Sequence, residues 1–118
     1  MLDDLFNIKY KLKHNKSVSI YTDSLEIFKI VEKLFLTNGY FWNGRSNNSI
    51  LGDGLYRFIK KGAYIYISEN FLTFSPCNIQ NKSSYDIFIN DKNVNFYIKN
   101  IFIKQPNYIP RKKIDRII

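Results

Sequence analysis

The residue types that most often carry catalysis are few in this chain and lie far apart along it. His14 is the only histidine and stands among lysines, while Cys77 is the only cysteine and follows Pro76. A nucleophile needs a base within hydrogen-bond reach, and a zinc site needs several ligands. Asp3 and Asp4 are adjacent near the N-terminus, where they read as helix-start or solvent-exposed charges. The sequence therefore predicts a non-enzymatic protein without a metal or cofactor.

Residues suited to binding a partner are concentrated in one loop and at the C-terminal end. Residues 44–54 show almost no hydrophobic periodicity and include Arg45, Asn47 and Asn48. Interfaces favour aromatic anchors and arginine. The Gly-Asp-Gly sequence at 52–54 is interpreted as a turn, because it lacks the ending of a P-loop and the carboxylates of a calcium loop. The predicted partner-binding residues are Arg45, Asn47, Asn48, Tyr56, Arg57, Arg111, Lys112 and Lys113.

The segment at residues 54–64 begins Gly-Leu-Tyr-Arg and continues into a predicted hairpin. It resembles the Gly-Leu-Tyr-Arg strand and hairpin of the RelE-like toxin ribonucleases, and Arg57 matches the first arginine of that pattern. The second family arginine is absent, because a Tyr-Ile-Tyr sequence starting at Tyr64 stands in its place. The paired N-terminal helices of the family are not evident either. The resemblance implies an alternative in which the chain cuts RNA, with Arg57, Lys60, Lys61 and Tyr64 as the acting residues.

The elements that must position these residues are predicted from hydrophobic periodicity. Apolar residues alternate with lysine and asparagine over residues 6–13, which predicts a strand with one solvated side. Residues 17–21 continue as a second strand, its hairpin partner. Further strands are predicted at residues 40–43, 55–60, 63–68, 71–75, 85–89 and 94–103, with a helix as the alternative for the last.

One amphipathic helix lies between the second and third predicted strands. Asp23 followed by Glu26 resembles a capping box, and Asn38-Gly39 supplies the left-handed residue that ends the helix. The charged residues expected on its solvent face are Lys29, Glu32 and Lys33. The apolar residues expected in the core are Leu25, Phe28, Val31, Leu34 and Phe35, packed against Ile20, Ile65 and Ile67.

The aromatic run Tyr40-Phe41-Trp42 opens the strand that follows the helix. Alternation places Tyr40 and Trp42 on one face of the strand and Phe41 on the other. We interpret the run as packing between helix and sheet, and the alternative is a platform on which bases stack. Together the elements predict a single α+β domain over residues 1–118, with one main amphipathic helix packed on one face of an antiparallel sheet.

Composition limits the class of protein and its partners. A chain of 118 residues with 45% hydrophobic and 17% aromatic residues is expected to form one ordered domain. No apolar run is long enough to cross a membrane, no secretory signal is visible, and a lone cysteine suits the cytoplasm. The net charge of +8 suits contact with RNA, although an AT-rich genome also raises lysine content. Residues 105–118 are expected to form a basic C-terminal arm.

Residues 25–75 contain, in this order, a helix, a Gly-Tyr-Phe-Trp sequence, a polar loop and a short hairpin. This order resembles small accessory proteins of phages and mobile elements, a kind that includes anti-defence factors such as anti-CRISPR inhibitors. The resemblance implies an inhibitor that docks on a bacterial defence effector protein or ribonucleoprotein of the CRISPR-Cas type, with RNA contact as an option. Such a protein would act in the host cytoplasm without a membrane partner. The alternatives are the RelE-like ribonuclease and a basic RNA- or DNA-binding module.

Overall fold

The computed structural model describes residues 2–76 and 85–102, which form four helices and a five-stranded sheet. The α+β prediction is confirmed. In the segment at 94–103 the predicted strand is wrong and the helical alternative is confirmed over Val94–Asn100. Cys77 and the predicted basic arm, with Arg111, Lys112 and Lys113, lie outside the described residues. The elements are α1 (Leu2–Lys13), β1 (Val18–Thr22), α2 (Leu25–Leu36), β2 (Phe41–Trp42), α3 (Asp53–Tyr56), β3 (Ala63–Ser68), β4 (Phe71–Pro76), β5 (Ile87–Ile89) and α4 (Val94–Asn100).

The sheet is mixed rather than antiparallel, with the strand order β2-β4-β3-β1-β5. β3 pairs antiparallel with both β1 and β4, whereas the outer strands β2 and β5 run parallel to β4 and β1. The prediction of an antiparallel sheet is therefore wrong at both edges. Antiparallel neighbours such as β3 and β4 need only a short turn, while a parallel pair joins segments that are distant in sequence. Local patterns in the sequence indicate the first kind of pairing and not the second.

α2 packs its apolar face on the inner face of the sheet, as predicted. Phe28, Val31 and Phe35 have no exposed surface, and neither have Ile20 and Ile65 on the central strands. Full burial of side chains this large supplies most of the favourable free energy of the fold. Around them Ile27, Leu36 and Ile67 are also buried, and Leu25 and Leu34 are partly buried.

The two ends of α2 are set by local chemistry. Ser24, rather than Asp23, is the N-cap: its Oγ accepts a hydrogen bond from the Ile27 backbone N–H at 3.2 Å. A serine oxygen there satisfies a backbone donor that has no partner inside the helix. At the other end Gly39 has a φ of +94°, the left-handed conformation that the sequence predicted for it.

α1 occupies the segment that was predicted to be a strand, so that prediction is wrong. Its buried residues Leu5 and Ile8 lie at helical spacing, and the partly buried Leu12 continues their face. Phe6 and Tyr10, which alternate with them along the sequence, are exposed. An apolar residue at every second position therefore marks two faces of a helix here, rather than one face of a strand.

Lysine side chains anchor α1 to the rest of the molecule. The Nζ of Lys9 donates hydrogen bonds to the carbonyl oxygens of Asn100 and Ile101, at 2.8 and 3.1 Å, where α4 ends. The Nζ of Lys11 lies 2.8 Å from an Oδ of Asp86, just before β5. The lysines that the strand interpretation assigned to a solvated face thus join the first helix to the last two elements of the described chain.

α3 and the turn after it replace the strand predicted at residues 55–60. The backbone N–H of Tyr56 donates to the Gly52 carbonyl oxygen at 3.0 Å, and that of Ile59 donates to the Tyr56 carbonyl oxygen at 2.9 Å. Gly52 has a φ of +91°, which favours glycine at the position before the helix. The Gly-Leu-Tyr-Arg sequence therefore lies on a helical turn and not on the strand that the RelE-like resemblance implies.

Candidate functional site

A buried carboxylate organises the region where the sequence predicted binding residues. Glu32 belongs to α2 and is only 1% exposed. Its Oε2 accepts hydrogen bonds from Trp42 Nε1 and from the backbone N–H of Leu51, each at 2.8 Å. Its Oε1 accepts one from the hydroxyl of Tyr56. A carboxyl group taken out of water requires such donors, and three of them meet here.

These three hydrogen bonds tie the loop between β2 and α3 to α2 at widely separated points. Trp42 precedes the loop, Leu51 lies in its second half and Tyr56 ends the short helix that follows. Trp42 is 2% exposed and its ring stacks on Phe28, with centroids 6.0 Å apart, so the prediction that it packs between helix and sheet is confirmed. The loop is therefore held by a buried network and not only by its own turns.

The phenol of Tyr56 belongs to the same network. Burial first, and then the hydrogen bond to Glu32 and its negative charge, raise the pKa of Tyr56 above its ordinary value. The Nζ of Lys29 lies 4.7 Å from the centroid of the Tyr56 ring, within the range of a cation–π contact. Tyr56 was predicted as a partner contact, but it is only 6% exposed. Its hydroxyl bonds Glu32 inside the protein instead of facing a partner.

Arg45 closes the loop on itself. One terminal guanidinium nitrogen donates to Ser49 Oγ at 3.1 Å and to the Ile50 carbonyl oxygen at 2.5 Å, and the other donates to the Leu51 carbonyl oxygen at 3.2 Å. All three acceptors are neutral oxygens. The guanidinium has five N–H donors, so two remain for other acceptors. The side chain is half-buried; its hydrogen bond to Leu51 is partly buried, whereas those to Ser49 and Ile50 are exposed to solvent.

The two predicted asparagines also shape the loop. Asn48 Nδ2 donates to the carbonyl oxygen of Leu36 at 3.1 Å, at the end of α2 where helix carbonyls lack partners. Asn47 Oδ1 accepts from the Ser49 backbone N–H at 3.2 Å, which is the local bond of an Asx turn. Both residues contribute to the position of the loop and remain exposed.

A small cavity of about 290 Å³ lies between this loop and the edge of the sheet. Its walls are mostly apolar, and the polar residues that line it are Arg45, Asn43 and Thr73. No aspartate or glutamate of residues 2–76 or 85–102 lines it. The lining residues are Trp42, Asn43, Arg45, Leu51, Leu55, Leu72, Thr73 and Phe74.

Large side chains of the same region face solvent. Ile50 is 55% exposed and Phe58 is 52% exposed. Arg57 is also exposed, with its guanidinium carbon 5.1 Å from the centroid of the Phe58 ring. The structure thus separates the predicted residues: Arg45, Asn47 and Asn48 shape the loop, Tyr56 is buried beneath it, and Arg57 is on the surface.

Glu32 is the residue that sequence reasoning missed, since it was assigned to the solvent face of α2. A signal for it was present, because Glu32 lies four residues after Phe28 and three before Phe35, inside the buried stripe. The indole of Trp42 and the hydroxyl of Tyr56 were visible as donors that need a partner when buried. The distance between these residues along the chain concealed that Glu32 is that partner.

Comparison with protein-family models, with curated proteins and with solved structures finds no match for this chain. Within residues 2–76 and 85–102, no group of three or more His, Cys, Asp or Glu side chains is placed to hold a metal ion. In the same part of the chain, every helix is too short or too polar to cross a membrane.

Proposed function

We propose that this chain is a non-enzymatic binding protein. Its recognition loop is residues 43–59, which comprise the loop after β2, the short helix α3 and the turn that follows it. The carrying observation is that Glu32 and Arg45 hold this loop internally while Ile50, Arg57 and Phe58 remain exposed on it. A loop that is ordered before binding loses little conformational entropy when it docks. Arginine and aromatic side chains are also the residues that most often dominate the free energy of an interface.

The proposed partner is a bacterial defence effector of the CRISPR-Cas type, and the proposed action is inhibition by docking in the host cytoplasm. The resemblance of residues 25–75 to phage and mobile-element accessory proteins supports this choice of partner. A chain with a net charge of +8 does not imitate DNA, so it would cover a protein surface or contact guide RNA or an acidic channel. Four of the 18 basic residues lie at positions 105–118, in the segment predicted to add to the contact.

The decisive experiment combines affinity purification from a bacterial host that carries an active CRISPR-Cas system with a plasmid-interference assay. We expect the tagged protein to recover a stoichiometric effector complex and to restore plasmid survival. Arg57→Glu and Phe58→Ala should each weaken both results. Lys92→Glu is the matched control, because it makes the same charge change on an exposed turn before α4 and should behave as wild type.

Two outcomes would overturn the proposal. One is the absence of any stable protein or ribonucleoprotein partner together with unchanged interference. The other is equal loss of binding in Arg57→Glu and in Lys92→Glu, which would indicate a general effect of charge and not recognition by the loop.

A second candidate function, binding of single-stranded RNA or DNA, is favoured by the outer face of the sheet. Tyr66 and Phe71 are 38% and 37% exposed there, and the Phe41 ring lies 5.0 Å from that of Phe71. Aromatic rings on a sheet surface are a common platform for stacked bases. The alternating residues Ile65, Ile67 and Leu72 face the core instead.

A salt titration with labelled RNA and DNA tests this second candidate. Nucleic-acid binding predicts an affinity that falls steeply with salt and that drops at least tenfold in Phe71→Ala. If the affinity changes neither with salt nor in Phe71→Ala, the second candidate is wrong and docking on a protein surface is favoured. The same RNA also tests the RelE-like alternative, which requires cleavage that Arg57→Ala abolishes.

A further inference from the structure

We infer that the cavity between the loop and the sheet edge binds an apolar group that carries a carboxylate. The inference rests on the proposed function, because the cavity lies under the same recognition loop and would receive one anchoring group of the partner. The ligand class is an aliphatic or aromatic group with a carboxylate close to it, from a partner protein or from a free organic acid.

The size and the walls of the cavity indicate an apolar anchor. Its volume of about 290 Å³ is at the lower limit of small-molecule sites, which suits one large side chain and not a nucleotide. Its apolar lining consists of Leu51, Leu55 and Leu72 together with the aromatic side chains of Trp42 and Phe74. Binding there would remove apolar surface of both partners from water.

The charge of the cavity selects a carboxylate. Arg45 is half-buried in its wall and has only neutral oxygen acceptors within the described chain. Within residues 2–76 and 85–102 no aspartate or glutamate lines the cavity, and the Glu32 carboxylate behind its wall already accepts hydrogen bonds from Trp42, Leu51 and Tyr56. Arg45 therefore has no carboxylate partner in this part of the chain. A guanidinium that keeps two N–H donors matches the two oxygens of a carboxylate. The side-chain amide of Asn43 is a further donor at the rim.

The walls are also fixed before a ligand arrives. Trp42 and the backbone of Leu51 are both hydrogen-bonded to Glu32, on the side of these residues that faces α2. Their positions do not depend on a ligand, so the cavity is formed in the free protein. A preformed site loses less entropy on binding than one that must first be ordered.

The test is an NMR titration of the ¹⁵N-labelled protein with 3-phenylpropanoate and with its neutral counterpart, 3-phenylpropanamide. We expect saturable shifts of the Trp42 indole N–H and of the Leu51 and Phe74 amides. The acid should bind at least tenfold more tightly than the amide. A short peptide that ends in phenylalanine, as the free acid and as the C-terminal amide, then distinguishes a protein segment from a free acid as the source.

Two variants separate the charge of the site from its shape. Arg45→Gln should reduce the preference for the acid to less than threefold, and Leu55→Trp should abolish binding because the larger side chain fills the cavity. The Trp42 indole signal without ligand reports whether each variant keeps its bond to Glu32. The inference is overturned if no saturable shift occurs at millimolar acid, or if acid and amide bind equally well to the wild-type protein.

The outcome is distinguishable from that of the proposed function. If Leu55→Trp still recovers the effector and inhibits it, while the wild-type protein shows no acid binding, the site is wrong and the function stands. If the acid binds and no effector partner is found, the function is wrong and the site stands.

Discussion

α1 and α2 both contain twelve residues, yet the protein holds them in different ways. α2 inserts Phe28, Val31 and Phe35 into the core with no exposed surface, and it buries a carboxylate beside them. α1 buries Leu5 and Ile8, packs the partly buried Leu12 against the core and is further attached through lysine head groups. Large apolar side chains remain more than half exposed on its other side, namely Leu2, Phe6 and Tyr10.

The difference teaches that helix length and apolar content do not by themselves give a helix its stability. Apolar burial and buried hydrogen bonds act in a medium of low dielectric, where breaking them is costly. Contacts of lysines at the surface compete with water and with salt and contribute less. We therefore expect α2 to unfold only with the whole domain and α1 to be the weaker attachment. Five predictions test this comparison, in order of decreasing effect.

The largest effect is expected for Phe28→Ala in the centre of α2. The substitution leaves a cavity among Trp42, Tyr56 and Phe74, whose rings all surround Phe28. The free energy of unfolding should fall by about 3–5 kcal/mol. Urea denaturation measures this change. A melting temperature equal to that of the wild type would show that this face of α2 is not the core contact.

Glu32 should rank second, and the nature of its replacement should matter. Glu32→Leu removes the acceptor from three buried donors and should lower the free energy of unfolding by roughly 2–4 kcal/mol. Glu32→Gln can keep all three contacts, since its amide would donate to a rotated Tyr56 hydroxyl, and should lose only about 1 kcal/mol. Equal losses in the two variants would mean that the negative charge matters more than the hydrogen-bond pattern.

Tyr56→Phe should come third and should also change the response to alkaline pH. Losing the hydroxyl removes one hydrogen bond to a charged group, at roughly 1–2 kcal/mol. The folded state raises the pKa of Tyr56, so the unfolded chain loses this proton first as pH rises. The stabilisation that the Tyr56 hydroxyl contributes is therefore fully present below a pH of about 10 and declines as the pH rises further. Stability measured from neutral pH to pH of about 11 should fall less steeply in the variant; an unchanged slope would contradict this.

Among the contacts that attach α1, the largest effect is expected from Asp86→Ala. Asp86 accepts from Lys11 Nζ at 2.8 Å and from the Ser19 backbone N–H at 2.9 Å. Because these groups are partly exposed, the loss should be only about 1 kcal/mol, and Lys11→Met should lose less than that. A double-mutant cycle measures the coupling of the pair, which should weaken as salt is added. A loss as large as that in Phe28→Ala would remove the contrast between the two helices.

The smallest effect on stability is expected for Phe6→Ser on the exposed side of α1. This side chain is 61% exposed, so the free energy of unfolding should change by less than about 0.5 kcal/mol. Hydrogen exchange adds a second readout, in which the amides of α1 should exchange faster than those of α2. Equal protection of the two helices would show that the lysine contacts hold α1 as firmly as the core holds α2.

The candidate site could be predicted from the sequence in its location but not in its chemistry. The absence of periodicity after Trp42 indicated a loop, and Arg45, Asn47 and Asn48 were recognised as polar residues within it. Arg45 and Asn48 donate to carbonyl oxygens of the loop and of the end of α2, whereas Asn47 accepts from the Ser49 backbone N–H. No local pattern shows which partner each of these side chains binds, because the loop backbone takes its shape only on folding and the Leu36 carbonyl lies 12 residues from Asn48.

By itself, the sequence determined the parts of this protein whose signals are local. The period of α2, the left-handed Gly39 at its end and the hairpin of β3 and β4 all follow from neighbouring residues. The tertiary structure alone decided that residues 2–13 form a helix, that the edge strands pair in parallel and that Glu32 is buried. The physical reason is that α1 and Glu32 are stabilised by groups distant in sequence, at Asn100 and Asp86 for one and at Trp42 and Tyr56 for the other. Local periodicity does not report such contacts.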